Sequence, residues 1–235
     1  MGLFFLKILL AHVIGDFLIQ PTKWVKSKEK KKIQSPYLYA HLAVHALLLL
    51  IFLAFNSTYL LGIVVILVSH FAIDVAKLYF TNKKNRRILF VADQFAHLLV
   101  LFIVANAYYS ELKWSMLATY EYSILLSILF LLLVTVVASI LIKVLTSAWD
   151  VTTKKEESLS NAGMYIGMLE RLFVFGFVLL DFWEGIGFLL AAKSIFRFGD
   201  LTRAKDRKLT EYVLIGTLLS FGIAILCGVL FRYYL

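Results

Sequence analysis

Residues Tyr59–Phe80 read YLLGIVVILVSHFAIDVAKLYF. As a helix rising 1.5 Å per residue this run is about 33 Å long, enough for the hydrocarbon core of a bilayer. Inside it stand His70 and Asp74. Four residues make about one helical turn, so the two side chains face one direction. Ionisable groups are costly at such depth and usually mark a site.

The same spacing recurs outward from this run. His12/Asp16, His41/His45 and Asp93/His97 are also turn-spaced, and with His70/Asp74 they take in all five histidines of the chain. Nearly all of this grouping falls inside apolar runs. Ser69 precedes His70 but points to another face, so a Ser-His-Asp triad is not expected.

Composition sets the class. The 235 residues are 61% hydrophobic and 17% charged, with a mean hydropathy of +0.85. A soluble domain could not bury so much apolar surface, so an all-α polytopic membrane bundle is expected. The lone Cys227 rules out an intramolecular disulfide framework. The first apolar run lacks a basic flank and a small-residue cleavage site, so it reads as a retained helix rather than a signal peptide.

Apolar runs predict eight helices, near Gly2–Ile19, Pro36–Phe55, Tyr59–Phe80, Ile88–Tyr108, Ser123–Leu145, Ala162–Leu180, Glu184–Phe196 and Glu211–Tyr233. Ser35-Pro36, Asn161 and Thr210-Glu211 are candidate helix starts. The link after the first helix could form a short surface helix with Trp24 at the interface. Basic residues fill the odd loops: Lys23, Lys26, Lys28, Lys30, Lys31 and Lys32 in the first, Lys83, Lys84, Arg86 and Arg87 in the third, Lys154 and Lys155 in the fifth, and Arg203, Lys205, Arg207 and Lys208 in the seventh. Lys113 is the exception on the even side. By the positive-inside rule the odd loops are cytoplasmic and both termini external. Glu184–Phe196 is short for a full span and could be re-entrant. The net charge of +9 thus reads as orientation, with no nucleic-acid partner. The lysine run could also recruit anionic lipid. No linker divides the chain: residues 1–235 form one membrane domain, with a four-helix His/Asp half over 1–110 and a helical half over 111–235.

Helix direction converts position into depth. His12, Asp16, His41, His45, His70, Asp74, Asp93 and His97 all fall roughly 6–16 Å from the cytoplasmic helix ends. Five imidazoles and three carboxylates at one level suit a divalent metal, zinc first and manganese or iron as alternatives, as one or two ions. The competing reading is a hydrogen-bonded polar core that joins the four helices. Donor atoms separated by more than about 6–7 Å would exclude zinc bonds near 2 Å. In the second half, Arg171, Lys193 and Arg197 could hold a substrate phosphate or carboxylate, with Glu170 as acid or base. A Glu170–Lys193 ion pair with snorkelling cations is the favoured alternative. Gly163, Gly167, Gly176, Gly185 and Gly187 are expected to permit close helix approach.

The stretch Leu10-Ala11-His12-Val13-Ile14-Gly15-Asp16-Phe17-Leu18-Ile19-Gln20-Pro21-Thr22-Lys23-Trp24 resembles the start of a bacterial membrane family called domain of unknown function 3307. Ser35-Pro36-Tyr37 with His41 and His45, then His70/Asp74 and Asp93-Gln94-x-x-His97, continue the likeness over about the first 100 residues. Tyr165–Arg171 and Ala191–Phe198 resemble the C-terminal part of longer members. The likeness implies a bacterial cytoplasmic membrane, but the family name implies no activity. As a type of site, the pattern is similar to membrane metal-dependent hydrolases and to zinc-containing seven-helix ceramidase-like receptors.

Three functions compete. A membrane metallohydrolase acting on a lipid-like or phosphoester substrate leads, with one of Asp16, Asp74 and Asp93 as general base. A divalent-cation transporter is second, although the external halves of the first four helices are nearly bare of ionisable groups. A non-catalytic scaffold or sensor with a structural metal is third.

Overall fold

A computed structural model describes residues 2–82, 84–108, 116–147, 149, 162–198 and 207–235. Among them there is no strand. The helices are α1 (Leu3–Val13), α2 (Thr22–Lys31), α3 (Pro36–Phe52), α4 (Leu60–Phe80), α5 (Arg86–Ala107), α6 (Met116–Leu132), α7 (Ala138–Thr146), α8 (Ala162–Leu179), α9 (Trp183–Phe198) and α10 (Arg207–Tyr234). A π turn at Ile14–Leu18 prolongs α1, and another at Leu133–Val137 joins α6 to α7. Each of the eight apolar runs is therefore helical.

Some boundaries move for local reasons. Ser35 takes the extended cap conformation before Pro36, but its hydroxyl bonds Ser27 Oγ at 2.9 Å rather than a helix amide. Ala54 and Phe55 adopt left-handed backbone, which ends α3 before Phe55. α6 starts before Ser123, and its added turns carry Glu121, paired with Lys7 at 2.6 Å. α10 is already helical at Arg207, so Thr210 and Glu211 lie inside it. Asn161, Lys83, Lys113, Lys154, Lys155, Arg203 and Lys205 lie outside the described residues.

Among the described residues, five helices are long and apolar enough to cross a membrane, or six if Leu3–Leu18 and Thr22–Gln34, bent by 84°, form one broken span. The eight-span expectation is thus met only in part, because α3 has 17 residues and α9 has 16. Exposed apolar side chains such as Leu61, Val68, Phe95, Phe188 and Leu218 suit lipid contact. The protein is a helical membrane protein.

The chain divides into two compact units, Met1–Leu129 and Phe130–Leu235, with the division inside α6. In the first unit, α1, α3, α4 and α5 close a ring, each packing on two of the others. Phe4, Ile8, Ala11, Leu49, Leu53, Ile63, Ile66, Leu101 and Val104 form its buried apolar layer. Along every helix these residues occupy the end opposite the His/Asp pairs, because successive helices run in alternate directions.

In the second unit, α8 packs on α10 and α9. Val174, Val178, Ile186, Phe221 and Ala224 form the core. A Cβ on Gly228 would lie 2.7 Å from Val178, so close approach of α8 and α10 depends on that glycine. The expected small-residue contacts hold less well. Gly163, Gly176 and Gly187 have nothing near a would-be Cβ among the described residues, and Gly167 meets only Arg171 of its own helix. Gly185 alone of the five is crowded by other residues, Phe182 and Phe177.

Candidate metal centre

The His/Asp pairs converge. His12, His41, His45, His70, Asp74, Asp93 and His97 are all buried, and the Asp16 carboxylate is only 9% exposed. Asp16 lies on the π turn after α1. Its Oδ1 is 3.0 Å from His45 Nε2, 3.2 Å from His41 Nε2 and 3.7 Å from His70 Nε2. Its Oδ2 is 3.8 Å from His12 Nε2 and accepts from Gln94 Nε2 at 3.0 Å. One carboxylate thus gathers four imidazoles from three helices.

That approach requires Gly15. A Cβ at Gly15 would lie 2.5 Å from the His45 ring. The glycine lets the π turn press against α3, with the imidazole filling the space a side chain would take.

Three donor sets follow, each with ligand atoms within 4.8 Å of one another: His12/Asp16/His45/His70, His41/His70/Asp74 and Asp74/Asp93/His97. These separations are well inside the limit that would exclude zinc. His12 Nε2, Asp93 Oδ1 and His97 Nε2 are buried without a hydrogen-bond partner. Unpartnered polar atoms at such depth are expensive. A polar core built only to join helices would be expected to satisfy them. A cavity of about 10 Å³, room for about one water, is lined by His12, Ser69, His70 and His97 together with Ile66, Val100 and Leu101. The Ser69 hydroxyl donates to Val65 O and Ile66 O, at 2.8 and 2.9 Å, as expected for a serine outside any triad.

Four polar side chains complete the cluster without having been singled out in the sequence. Lys28, on α2, is buried and donates to Asp74 Oδ2 at 2.9 Å. Lys77 donates to Asp93 Oδ2 at 2.6 Å. Gln94 also donates to Asp93 Oδ2, at 3.1 Å, and Gln20 bonds the His41 ring at 3.0 Å. Lys77 follows Asp74 by three residues and Gln94 precedes His97 by three, so helical spacing could have flagged both. Nothing distinguishes Lys28 from its five neighbouring lysines in the sequence.

The second-unit candidates have other partners. Glu170 and Lys193 form the expected ion pair at 2.6 Å. Arg171 is buried, with Nε donating to Val134 O at 2.5 Å and Nη2 to Thr135 O and Ser139 Oγ at 3.1 and 2.5 Å. Its Nη1 donates to Ser220 Oγ at 3.2 Å. The guanidinium therefore ties the π turn between α6 and α7 to α8 and α10. The side chain of Arg197 lies outside the described residues.

Comparison with curated proteins and with solved structures returns no match. The model of one family, described as "Protein of unknown function (DUF3307)", matches residues 4–126, a region that contains all eight His/Asp donors. The chain belongs to the DUF3307 family.

Proposed function

We propose that the protein is an integral membrane metal-dependent hydrolase that holds its ion at His12, Asp16, His45 and His70. The observation that carries this reading is the set of three buried imidazoles and the nearly buried Asp16 carboxylate within 4.8 Å of one another, with His12 Nε2 lacking a hydrogen-bond partner. Three imidazoles and a carboxylate fit zinc, with manganese or iron as alternatives. A bound divalent ion supplies a water of lowered pKa and polarises an ester or phosphoester. Asp16 belongs to the ligand set. That leaves Asp74 and Asp93, whose Oδ1 atoms lie 3.8 and 3.5 Å from Nε2 of the cavity-lining His97, to take the proton from the attacking water. Glu170 is engaged by Lys193, which favours the ion-pair role for both.

The proposed setting is the cytoplasmic half of a bacterial cytoplasmic membrane, with eight spans and both termini external. Loop charge supports this orientation. The closed ring of α1, α3, α4 and α5 supports counting α3 as a span, since all four contribute to the same two layers. A lipid-like substrate would enter sideways.

Elemental analysis of the detergent-purified protein beside a His45→Ala/His70→Ala variant tests the metal. Wild type is expected to retain zinc, manganese or iron that the variant lacks. Equal metal in both removes the basis of the proposal. Turnover of ester and phosphodiester lipids by metal-loaded protein in vesicles then tests the reaction. A second reading, divalent-cation transport, is favoured by the π turn that carries Asp16 and by the 84° break after it, since interrupted helices build transport sites. Zinc uptake into proteoliposomes distinguishes it.

A further inference from the structure

We infer that Lys28 and Lys77 stand where a second metal ion would otherwise be needed, so that the cluster holds one divalent cation. On this inference Asp74, Asp93 and His97 are a latent cation site, opened only when the ammonium groups are removed. This rests on the metal reading above and extends it to the half of the cluster that reading leaves without an ion.

The geometry divides each carboxylate. Asp74 gives Oδ2 to Lys28 at 2.9 Å, and Asp93 gives Oδ2 to Lys77 at 2.6 Å. The other oxygens turn toward His97, whose Nε2 lies 3.8 Å from Asp74 Oδ1 and 3.5 Å from Asp93 Oδ1. Asp93 Oδ1 and His97 Nε2 have no hydrogen-bond partner, and their residues are 5% and 3% exposed. Three donors therefore face one point, with an ammonium behind each carboxylate.

Charge decides what that point can hold. With neutral imidazoles, the cluster has three aspartates against two lysines, one net negative charge. One divalent cation turns this into a single positive charge, and a second would raise it to three. Like charges this close in a weakly screening interior repel strongly. Lys28 cannot readily withdraw. Its helix is fastened by Ser27 Oγ to Ser35 Oγ at 2.9 Å, by Trp24 stacked on Tyr37, and by Lys32 Nζ donating to Leu78 O at the end of α4. Replacing the lysines by methionine keeps their length and leaves two carboxylates that need a counter-charge. A second divalent ion can then supply it.

The test is zinc stoichiometry of the full-length protein in detergent, saturated with zinc and freed of excess. Wild type should hold one zinc per chain, Lys28→Met/Lys77→Met two, and Lys28→Arg/Lys77→Arg one. Two zinc ions in wild type overturn the inference, as does one in a Met/Met variant that remains monodisperse. If that variant aggregates, Lys77→Met alone should bind a second, weaker zinc, and unchanged stoichiometry there overturns the inference. Zero zinc in wild type is a different failure, that of the metal reading itself.

Discussion

Asp16 and Gly15 illustrate how much one turn of backbone can decide. The π turn at Ile14–Leu18 places the Asp16 carboxylate against imidazoles from α3 and α4, and Gly15 beneath it admits the His45 ring. Gly15→Ala would put a methyl group where His45 stands, forcing a shift of the ring or of α3. Overpacking of this kind costs about 1–3 kcal/mol. The expected outcome is a folded protein of lower thermal stability with at least tenfold weaker zinc affinity, read by chelator competition. Unchanged affinity would mean that the His45 position is not set by the glycine.

At the scale of elements, the π turn at Leu133–Val137 and the α8–α10 pair depend on Arg171. Its three nitrogens reach carbonyls of the turn and hydroxyls on α7 and α10. A lysine offers one nitrogen and cannot reproduce that fork. Arg171→Lys should therefore lose about 2–3 kcal/mol, seen as a lower melting temperature in detergent. Zinc stoichiometry should not change, because no donor of the proposed centre lies in that unit. Loss of metal with preserved stability would instead assign Arg171 to the site. A smaller fork recurs where Arg232 and Trp183 both donate to Asp181, at 3.0 and 2.9 Å, and hold its carboxyl below the ordinary aspartate range.

For the whole molecule, orientation is the property most open to test. Lys23, Lys26, Lys30 and Lys31 are exposed on α2, while Lys28 on the same helix is buried against the cluster. Four of the six lysines in that loop therefore remain available as an orientation signal, while Lys32 donates to Leu78 O and Lys28 belongs to the cluster. If both termini are external, as proposed, a reporter active only outside the cytoplasm should work at either end of the chain. A cysteine placed at Lys30 should resist labelling in intact cells and react after permeabilisation. Labelling of intact cells at that position would reverse the orientation and put the His/Asp layer near the outer face.

The sequence by itself determined the class, the eight apolar helices and the eight His/Asp side chains that cluster between four of them, because those properties depend on local periodicity and on the cost of burying charge. Helix direction further placed the donors at one level, and they do form one layer. Their division into a four-donor set and a lysine-backed set could not be read that way. It depends on which carboxylate oxygen faces which neighbour. It also depends on α2 folding back to bury Lys28, on Gly15 yielding space to His45, and on a π turn rotating Asp16 inward. Each of these joins residues distant along the chain through contacts that spacing does not encode. Tertiary packing alone decided them.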